Sequence, residues 1–288
     1  LLLFVFFVWV VNVGAYHFLV WPIFFYSIYS KYLPFRWKLL ILILFSAMMI
    51  VGISDRAQAI KVAASSGLAL AFYFRSYLSK KIIPLLHWAF YIGAISLLYL
   101  GITGQYNIFE EMEGNRGEFT EQRIDEDGYT VIEDASSDTR TFIYQEVISS
   151  AIENDYIWIG RTPARGNDSF AFGKLIAEDL GTNKYERHKN EVCHPNVFTW
   201  LGLIGMLLYS IIYLQASCLA LYRSKSYAMK ILACFVAFHW ALGWIEDVNR
   251  FDVSNIFMWM CIAMCLSQEF RNMDDEQFKD WFYNIFNS

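Results

Sequence analysis

The apolar residues of this chain are gathered into long blocks, and this arrangement restricts the folds open to it. The blocks lie at about 7–29, 39–54, 57–76, 82–103, 197–222, 228–246 and 254–268, and each approaches the roughly 20 residues that cross about 30 Å of hydrocarbon. Only 18% of the residues are charged, against roughly 25% in soluble domains. The sequence therefore predicts an all-α integral membrane protein with about seven transmembrane helices.

Charge divides the chain into four segments. Residues 105–195 contain 19 of the 28 carboxylates and nine of the 23 cations, a net charge of −10, whereas the rest of the chain carries +5. We predict transmembrane helices at 1–104, a large loop at 105–195, further transmembrane helices at 196–268 and a tail at 269–288. Because no strongly basic surface is present, a nucleic-acid partner is excluded. The start at Leu1, without Met or signal peptide, predicts a processed chain or a fragment.

The short loops predict how the helices are oriented. Cations fall at alternate connections, which places those connections in the cytoplasm: Lys31, Arg36 and Lys38, then Arg75, Lys80 and Lys81, then Arg223, Lys225 and Lys230. The large loop is then extracytoplasmic and the tail cytoplasmic. Apolar tail residues at helical spacing predict a helix along the membrane surface: Phe278, Trp281, Phe282, Ile285 and Phe286.

The large loop is too charged to enclose a core of its own, so we expect it to fold onto the helices. Residues 110–138 are predicted to be loose or extended. An amphipathic helix is predicted from Ser137 or Asp138 to Asn154, with one apolar stripe made of Phe142, Ile143, Val147, Ile148, Ala151 and Ile152. A second short helix is predicted after Asp168, ending at Gly181 in a left-handed cap.

Two arginines begin predicted helices on the outer face. Arg56, after Ser54 and Asp55, places a guanidinium at the level of the lipid headgroups, where it can bind phosphate oxygens or anchor the interface by pairing with Asp55. Arg140 lies in the first turn of the amphipathic helix, where a cation opposes the helix dipole. We therefore expect Arg140 to have a bound anion or Asp138 as its partner.

Two more arginines lie in the glycine-containing turn at 160–166. Gly160 and Gly166 can let the backbone approach a ligand closely, while Arg161 and Arg165 reach into the same space. Such a turn suits a diphosphate. The alternative is a solvated turn in which the arginines pair with the surrounding carboxylates.

His194 is the predicted proton acceptor. Pro195 suits the first position of a helix, which makes His194 the expected N-cap and places its ring at the membrane surface. The positive end of the helix dipole favours neutral imidazole, so His194 can accept a proton, with Glu191 or Asn196 orienting the ring. The alternative is a histidine that only caps the helix.

Metal binding explains the same stretch less well. His188, Glu191 and His194 are evenly spaced, but Pro195 interrupts the helix that would bring them together, and no fourth ligand is evident. We therefore predict no metal site. Gly202 and Gly205, in the next span, are expected to allow close packing of helices.

Taken in order, these motifs resemble the bacterial O-antigen ligase and polymerase family. The matching segments are the Ser-Arg turn at 53–57, the loop helix begun by Arg140, the following turn at 157–161, and the His-Asn motif with its helix at 194–205. The resemblance covers residues 53–209. Pro195 separates His194 from Asn196, whereas many members have adjacent His and Asn, and seven spans are fewer than the family has.

The resemblance implies an all-helical membrane fold similar to type C glycosyltransferases, in the bacterial inner membrane with the large loop in the periplasm. It implies transfer or polymerisation of undecaprenyl-diphosphate-linked repeats of O-antigen, capsule or exopolysaccharide, with polymerase favoured over ligase. The implied partners are the lipid-linked donor, a glycan or lipid A-core acceptor, membrane lipid and a chain-length regulator. No nucleotide sugar, cofactor or metal is implied.

The residues and the resemblance lead to one mechanism. Arginines hold the diphosphate and stabilise its charge as the glycosidic bond breaks; the candidates are Arg56, Arg140, Arg161 and Arg165. His194 takes the proton of the acceptor hydroxyl, and direct displacement inverts the anomeric centre. His194 and Arg140 are the predicted catalytic residues.

Two other classes of protein remain open. A lipid-linked oligosaccharide flippase or other transporter would use the arginines to bind or gate a headgroup, and it would place ionisable groups at mid-membrane and show repeated halves. This sequence keeps most charges at the predicted surfaces and shows no duplication. A structural scaffold gives no reason for arginines and a histidine to converge on one face.

Overall fold

The computed structural model describes residues 19–51, 56–103, 120–124, 130–134, 139–169, 173, 177–178, 181–182, 184–249 and 251–286. Within them the chain is mostly helical. Its ten helices are α1 (Val20–Ile28), α2 (Phe35–Val51), α3 (Arg56–Tyr73), α4 (Ile82–Ile102), α5 (Thr139–Glu153), α6 (Cys193–Arg223), α7 (Tyr227–Leu242), α8 (Val253–Leu266), α9 (Gln268–Asn272) and α10 (Asp275–Asn284). Two antiparallel pairs join β1 (Thr120–Ile124) to β2 (Thr130–Asp134), and β3 (Asn167–Asp168) to β4 (Glu186–Arg187).

Among the described residues, two helices are long and apolar enough to cross a membrane: α4 over Ile82–Leu100, and α6. The other predicted blocks also contain helices, as far as they are described. However, α7 and α8 have only 16 and 14 residues, which at 1.5 Å per residue is shorter than about 30 Å of hydrocarbon. The count of seven spans therefore stays a prediction.

The strand pairs correct the expectation of a purely helical chain, whereas extended structure within 110–138 agrees with the prediction of a loose or extended segment. Within that segment β1 pairs with β2, with Gln122 opposite Ile132. The connection includes Asp127 and Gly128, a dipeptide typical of hairpin turns. Thr, Val and Ile residues on both sides of such a dipeptide are a hairpin signal that the acidic composition obscured.

The chain divides into two compact units, residues 1–92 with 209–288, and residues 93–208. An aromatic core closes the first unit. Tyr29, Phe72, Phe278 and Phe282 are fully buried, and the ring centroid of Tyr29 lies 5.2–5.7 Å from those of the other three. The Tyr29 hydroxyl donates to the carbonyl of Ala228 at 2.8 Å, which satisfies its polar atom inside the core.

The tail therefore differs from its prediction. Helix α10 starts with a capping box, in which Asp274 accepts from the backbone N–H of Gln277 and the Gln277 side chain accepts from that of Asp274. Its apolar face packs against the first unit through Phe278 and Phe282 instead of lying on lipid. Packing against the rings of the bundle removes more apolar surface from water than lying at a membrane surface does, so burial in protein is favoured.

The first unit also contains a buried polar contact between helices. The Ser217 hydroxyl of α6 lies 2.9 Å from Nε2 of His87 and 3.0 Å from the hydroxyl of Tyr91, both on α4. Polar side chains commonly link apolar helices in this way.

In the second unit, α5 is the amphipathic helix that the sequence predicted. Ile143 and Val147 pack with Val192, whereas Ile148 and Ile152 are exposed, so only half of the predicted stripe faces protein. The left-handed cap at Gly181 is confirmed: its φ is +62°, and the N–H of the next residue bonds to the carbonyl of Ala177 at 2.8 Å. The start of that helix lies outside the described residues.

Candidate functional site

The turn that contains Arg161 is bound to a break in α6. Gly202 has φ +65° and ψ −170°, a non-helical conformation inside the helix. Residues 157–162 take up the backbone groups that the break leaves without helical partners. The four bonds run from Leu203 N–H to Ile157 O (2.8 Å), Ile204 N–H to Trp158 O (3.2 Å), Arg161 N–H to Thr199 O (2.7 Å) and Thr162 N–H to Trp200 O (2.9 Å).

Glycines make this contact possible. Gly160 has φ +79°, and a Cβ there would lie 2.5 Å from the backbone nitrogen of Gly202. A Cβ on Gly202 would overlap the backbone of Trp158, and one on Gly166 would overlap that of Arg187. The expectation that Gly160 and Gly166 admit a ligand is therefore wrong: their missing side chains admit neighbouring backbone. Gly202 was expected to allow close packing of helices; it does allow a close approach, but of the 157–162 turn and not of another helix.

Arg161 is enclosed by its own turn. Its Nη1 donates to the carbonyl of Gly166 at 2.9 Å and to Oδ1 of Asp168 at 2.8 Å. The guanidinium carbon lies 4.8 Å from the centroid of the Tyr156 ring, a cation–π contact. With 11% of the side chain exposed, this guanidinium is mostly buried.

Arg165 makes a two-pronged ion pair with Glu186. Its Nε lies 2.9 and 2.8 Å from the two carboxylate oxygens, and Nη2 also donates to Oε1. The hydrogen bond raises the pKa of Arg165 and lowers that of Glu186. Asp168 and Glu186 therefore already partner Arg161 and Arg165. This is the pairing with surrounding carboxylates that the sequence analysis gave as the alternative to diphosphate binding. Diphosphate binding by Arg161 and Arg165 stays a prediction, since an anion must first replace these carboxylates.

His194 lies inside α6, which begins at Cys193, so His194 is not the residue that precedes the helix. Its side chain is 1% exposed, so the ring is buried in protein, and its position at the level of the membrane surface stays a prediction. Pro195 did not locate the helix start because proline is tolerated throughout the first turn, whose N–H groups have no acceptor in the helix.

Asn196 holds the stretch that precedes α6. Its Oδ1 accepts from the N–H of Asn190 at 2.6 Å, and its Nδ2 donates to the carbonyl of the same residue at 2.9 Å. The Asn190 side chain in turn donates to Oδ1 of Asn167 at 2.9 Å. These amides are all buried. Asn196 therefore holds the backbone of Asn190, six residues before it.

Sequence reasoning missed the buried Arg187 and the half-buried Glu146 of this unit. Burial lowers the pKa of Arg187 and raises that of Glu146. Nη2 of Arg187 lies 3.7 Å from Oε1 of the exposed Glu191, so the described ion-pair contact of Glu191 is with Arg187. Glu146 accepts from the Ser169 hydroxyl at 2.8 Å. The signal for Arg187 was its place next to Glu186 in a charged run that looked like a solvated surface.

The remaining predicted site residues are described only by their backbone. Arg140 is the second residue of α5, which confirms its place in the first turn, and Arg56 is the first residue of α3. Their side chains lie outside the described part of the chain, and so does Asp138. Arg56 belongs to the first unit, whereas Arg140, Arg161, Arg165, Glu191, His194 and Asn196 belong to the second.

No group of three or more His, Cys, Asp or Glu side chains that could hold a metal ion occurs among the described residues. His188, Glu191 and His194, the candidates that the sequence offered, are all described and form no such group. Trp200 instead donates its indole N–H to the carbonyl of His188 at 3.3 Å.

The first unit contains a second polar site. Lys61 on α3 is 3% exposed, and its Nζ lies 2.8 Å from Oε1 of Glu246. The pair lines a cavity of about 70 Å³ together with Asp247, Asp252 and Asn255. Although Lys61 lies in an apolar block of the sequence, it faces protein.

No family model, no curated protein and no solved structure matches this chain.

Proposed function

We propose that this chain is a membrane glycosyltransferase of the O-antigen ligase and polymerase type, with polymerisation favoured over ligation. One observation carries the proposal: His194 lies in the first turn of α6, which is long and apolar enough to cross a membrane, and the turn with Arg161 and Arg165 is hydrogen-bonded to the same part of that helix. A proton acceptor and two cations are thus held close to one end of a candidate span.

In the proposed reaction, the acceptor hydroxyl oxygen attacks the anomeric carbon of an undecaprenyl-diphosphate-linked glycan. The bond from that carbon to the diphosphate oxygen breaks, and His194 takes the hydroxyl proton. The leaving diphosphate keeps the electron pair of the broken bond. Positioned cations stabilise its charge, and one positioned base contributes about 10²–10⁴-fold. Attack from the face opposite the leaving group inverts the anomeric centre.

The ion pairs indicate how the diphosphate enters. Arg165 presents two N–H groups side by side to Glu186, a geometry that phosphate oxygens also match. Exchange of Glu186 and Asp168 for phosphate oxygens would move both arginines onto the substrate without refolding the turn. Arg140 is proposed as a further cation of this site, which lies on the periplasmic side of the inner membrane. Arg56 stays a sequence-based candidate for binding the same diphosphate.

The proposal is tested by complementing a deletion strain with the full-length gene and its variants. His194→Gln keeps a polar side chain of similar size but removes the base, and His188→Gln is the matched control in the same stretch. We expect His194→Gln to abolish glycan extension at an unchanged protein level in the membrane, and His188→Gln to retain it. Full activity of His194→Gln would overturn the role of base.

The intermediates that accumulate separate the two activities. Single carrier-linked repeats in the deletion strain mean that the protein is a polymerase, because extension is then the missing step. Long carrier-linked polymer means that it is a ligase, because transfer to the final acceptor is missing.

A flippase or other transporter is the second candidate, and the buried pair of Lys61 and Glu246 favours it. Ionisable groups buried between apolar helices commonly mark transport pathways. Translocation of lipid-linked oligosaccharide in vesicles discriminates between the candidates. A transporter loses translocation in Lys61→Met and keeps it in His194→Gln, whereas the glycosyltransferase shows no translocation to lose.

A further inference from the structure

Apolar side chains are exposed at the break in α6. On the turn, Trp158 is 65% and Ile159 78% exposed; on the helix, Ile204 and Leu208 are 52% and 57% exposed. Residues three and four apart share one face of a helix, so Ile204, Leu207 and Leu208, all beyond the break, form one exposed stripe. We call Trp158 and Ile159 the apolar tip.

The length of α6 beyond the break matches a bilayer. Residues 203–223 are helical, and 21 residues at about 1.5 Å each extend roughly 31 Å, close to the roughly 30 Å of hydrocarbon. Tyr222 and Arg223 end this stretch with side chains typical of the interface. Gly202 therefore lies where the opposite interface is expected.

The turn is fixed at this same level. The carbonyls of Ile157 and Trp158 accept hydrogen bonds from the N–H groups of Leu203 and Ile204, the first two residues after the break. The apolar tip thus continues the exposed stripe of α6 at its end, while Arg161 and Asp168 follow within the same turn. An exposed tryptophan between a charged turn and an apolar helix face is typical of the headgroup region.

We propose that the apolar tip inserts into the lipid headgroup region, so that this turn is a membrane anchor as well as a partner of α6. The occupant of the exposed surface is lipid, because the surface is continuous with a helix face that has the length and apolarity of a span. The proposal depends on α6 crossing the membrane and is independent of any catalytic role of His194.

Spin labels on single cysteines test the proposal in the full-length chain, reconstituted in phosphatidylcholine and phosphatidylglycerol vesicles. Ile159→Cys probes the tip, the exposed Ala164→Cys is the control in the same turn, and Leu208→Cys marks the span, with the native cysteines replaced by alanine. Oxygen concentrates in lipid, whereas a nickel chelate stays in water. We expect the ratio of oxygen to nickel collisions to be highest for Leu208→Cys, intermediate for Ile159→Cys and lowest for Ala164→Cys.

Three results would overturn the proposal. Equal ratios for Ile159→Cys and Ala164→Cys would place the tip in water. A tip label shielded from both reagents would place it against protein. A water-exposed label at Leu208 would remove the span itself.

A second measurement leaves the native cysteines in place, because four of the five are buried. Trp158→Phe and Trp200→Phe are each compared with the parent chain in vesicles whose lipids carry bromine near the headgroups. The difference in fluorescence between the parent chain and Trp158→Phe is the emission of Trp158, and we expect the brominated lipids to quench this emission. The half-buried Trp200 should contribute a component that is quenched less, and equal quenching of the two components would contradict insertion of the tip.

Discussion

The backbones of Gly160 and Gly202 touch, and both residues have φ in the left-handed region. Neither position accepts a Cβ without overlap, so the turn and the helix each depend on the other having a glycine. This pair joins the Arg161 turn to α6.

We expect Gly202→Ala to destabilise the protein by more than the about 1–2 kcal/mol that a left-handed conformation costs an L-residue, because the Cβ also overlaps Trp158. Thermal unfolding in detergent micelles measures the change. Gly67→Ala is the matched control, since a Cβ at this glycine of α3 meets nothing within 4 Å. It should be neutral or stabilise by about 0.5–1 kcal/mol, and equal losses for the two variants would contradict the assigned packing.

Glu186 predicts a loss of stability in acid. Its pKa is held below the ordinary value of 4.5, chiefly by the hydrogen bond from Arg165. A depressed folded-state pKa contributes stability that is complete above the unfolded-state value and is lost as pH falls through the folded-state value. The stability of the parent chain should therefore fall below about pH 4.5, and Glu186→Gln should flatten this acid limb. Unfolding midpoints from pH 3 to pH 7 check the prediction, and identical profiles would contradict it.

Glu146 predicts the opposite dependence. Burial is the largest cause of its raised pKa, so its contribution to stability is fully present below pH 4.5 and is lost as pH rises through the folded-state pKa. Glu146→Gln removes the buried charge and keeps an oxygen that accepts from Ser169. We expect this variant to be more stable than the parent at pH 7 and equal to it at pH 4, measured by the same unfolding midpoints.

The Lys61 and Glu246 pair predicts strong coupling. Glu246→Gln leaves the buried Lys61 ammonium without its counter-charge, which should cost up to about 3 kcal/mol of unfolding free energy. The loss should not exceed this value, because Glu246 is partly exposed to solvent. The double variant Lys61→Met with Glu246→Leu should recover most of the loss. A double-mutant cycle in detergent measures the coupling, and additive losses would show that the two side chains do not interact.

Asn196 predicts a requirement for an amide. Asn196→Asp keeps the oxygen that accepts from Asn190 but replaces the donating Nδ2 with a second oxygen facing the Asn190 carbonyl. A lost buried hydrogen bond costs about 1–3 kcal/mol, and repulsion adds to it. Hydrogen exchange at residues 188–192 should accelerate in this variant, and unchanged exchange would contradict the role of Asn196 in holding that stretch.

Local pattern predicted much of the fold. Helical periodicity and apolar block length are encoded within about 20 residues, so the bounds of α5 and the cap at Gly181 followed directly from neighbouring residues. The pairing of β1 with β2 was missed because acidic composition was weighted above the Asp-Gly dipeptide between them in the sequence. The burial of the tail depends on Tyr29 and Phe72, which lie some 200 residues away in the chain.

The candidate site was less predictable for the same reason. The residue types and their order located Arg161, Arg165 and His194, but Glu186 is 21 residues from Arg165, and no local pattern shows that they pair. The burial of His194 likewise depends on how the preceding stretch folds back. Partner choice and burial are tertiary properties, whereas helix position is mostly local.

The division of the chain has a consequence for its synthesis. The first unit combines residues 1–92 with 209–288, and its aromatic core contains Phe278 and Phe282. Residues 93–208 form one continuous stretch of the chain, whereas Tyr29 and Phe72 must wait for more than 200 further residues to be translated before Phe278 is available. Since domains fold as units, the core around Tyr29 is the last part of the molecule to close, and until then its rings are available to lipid and to chaperones.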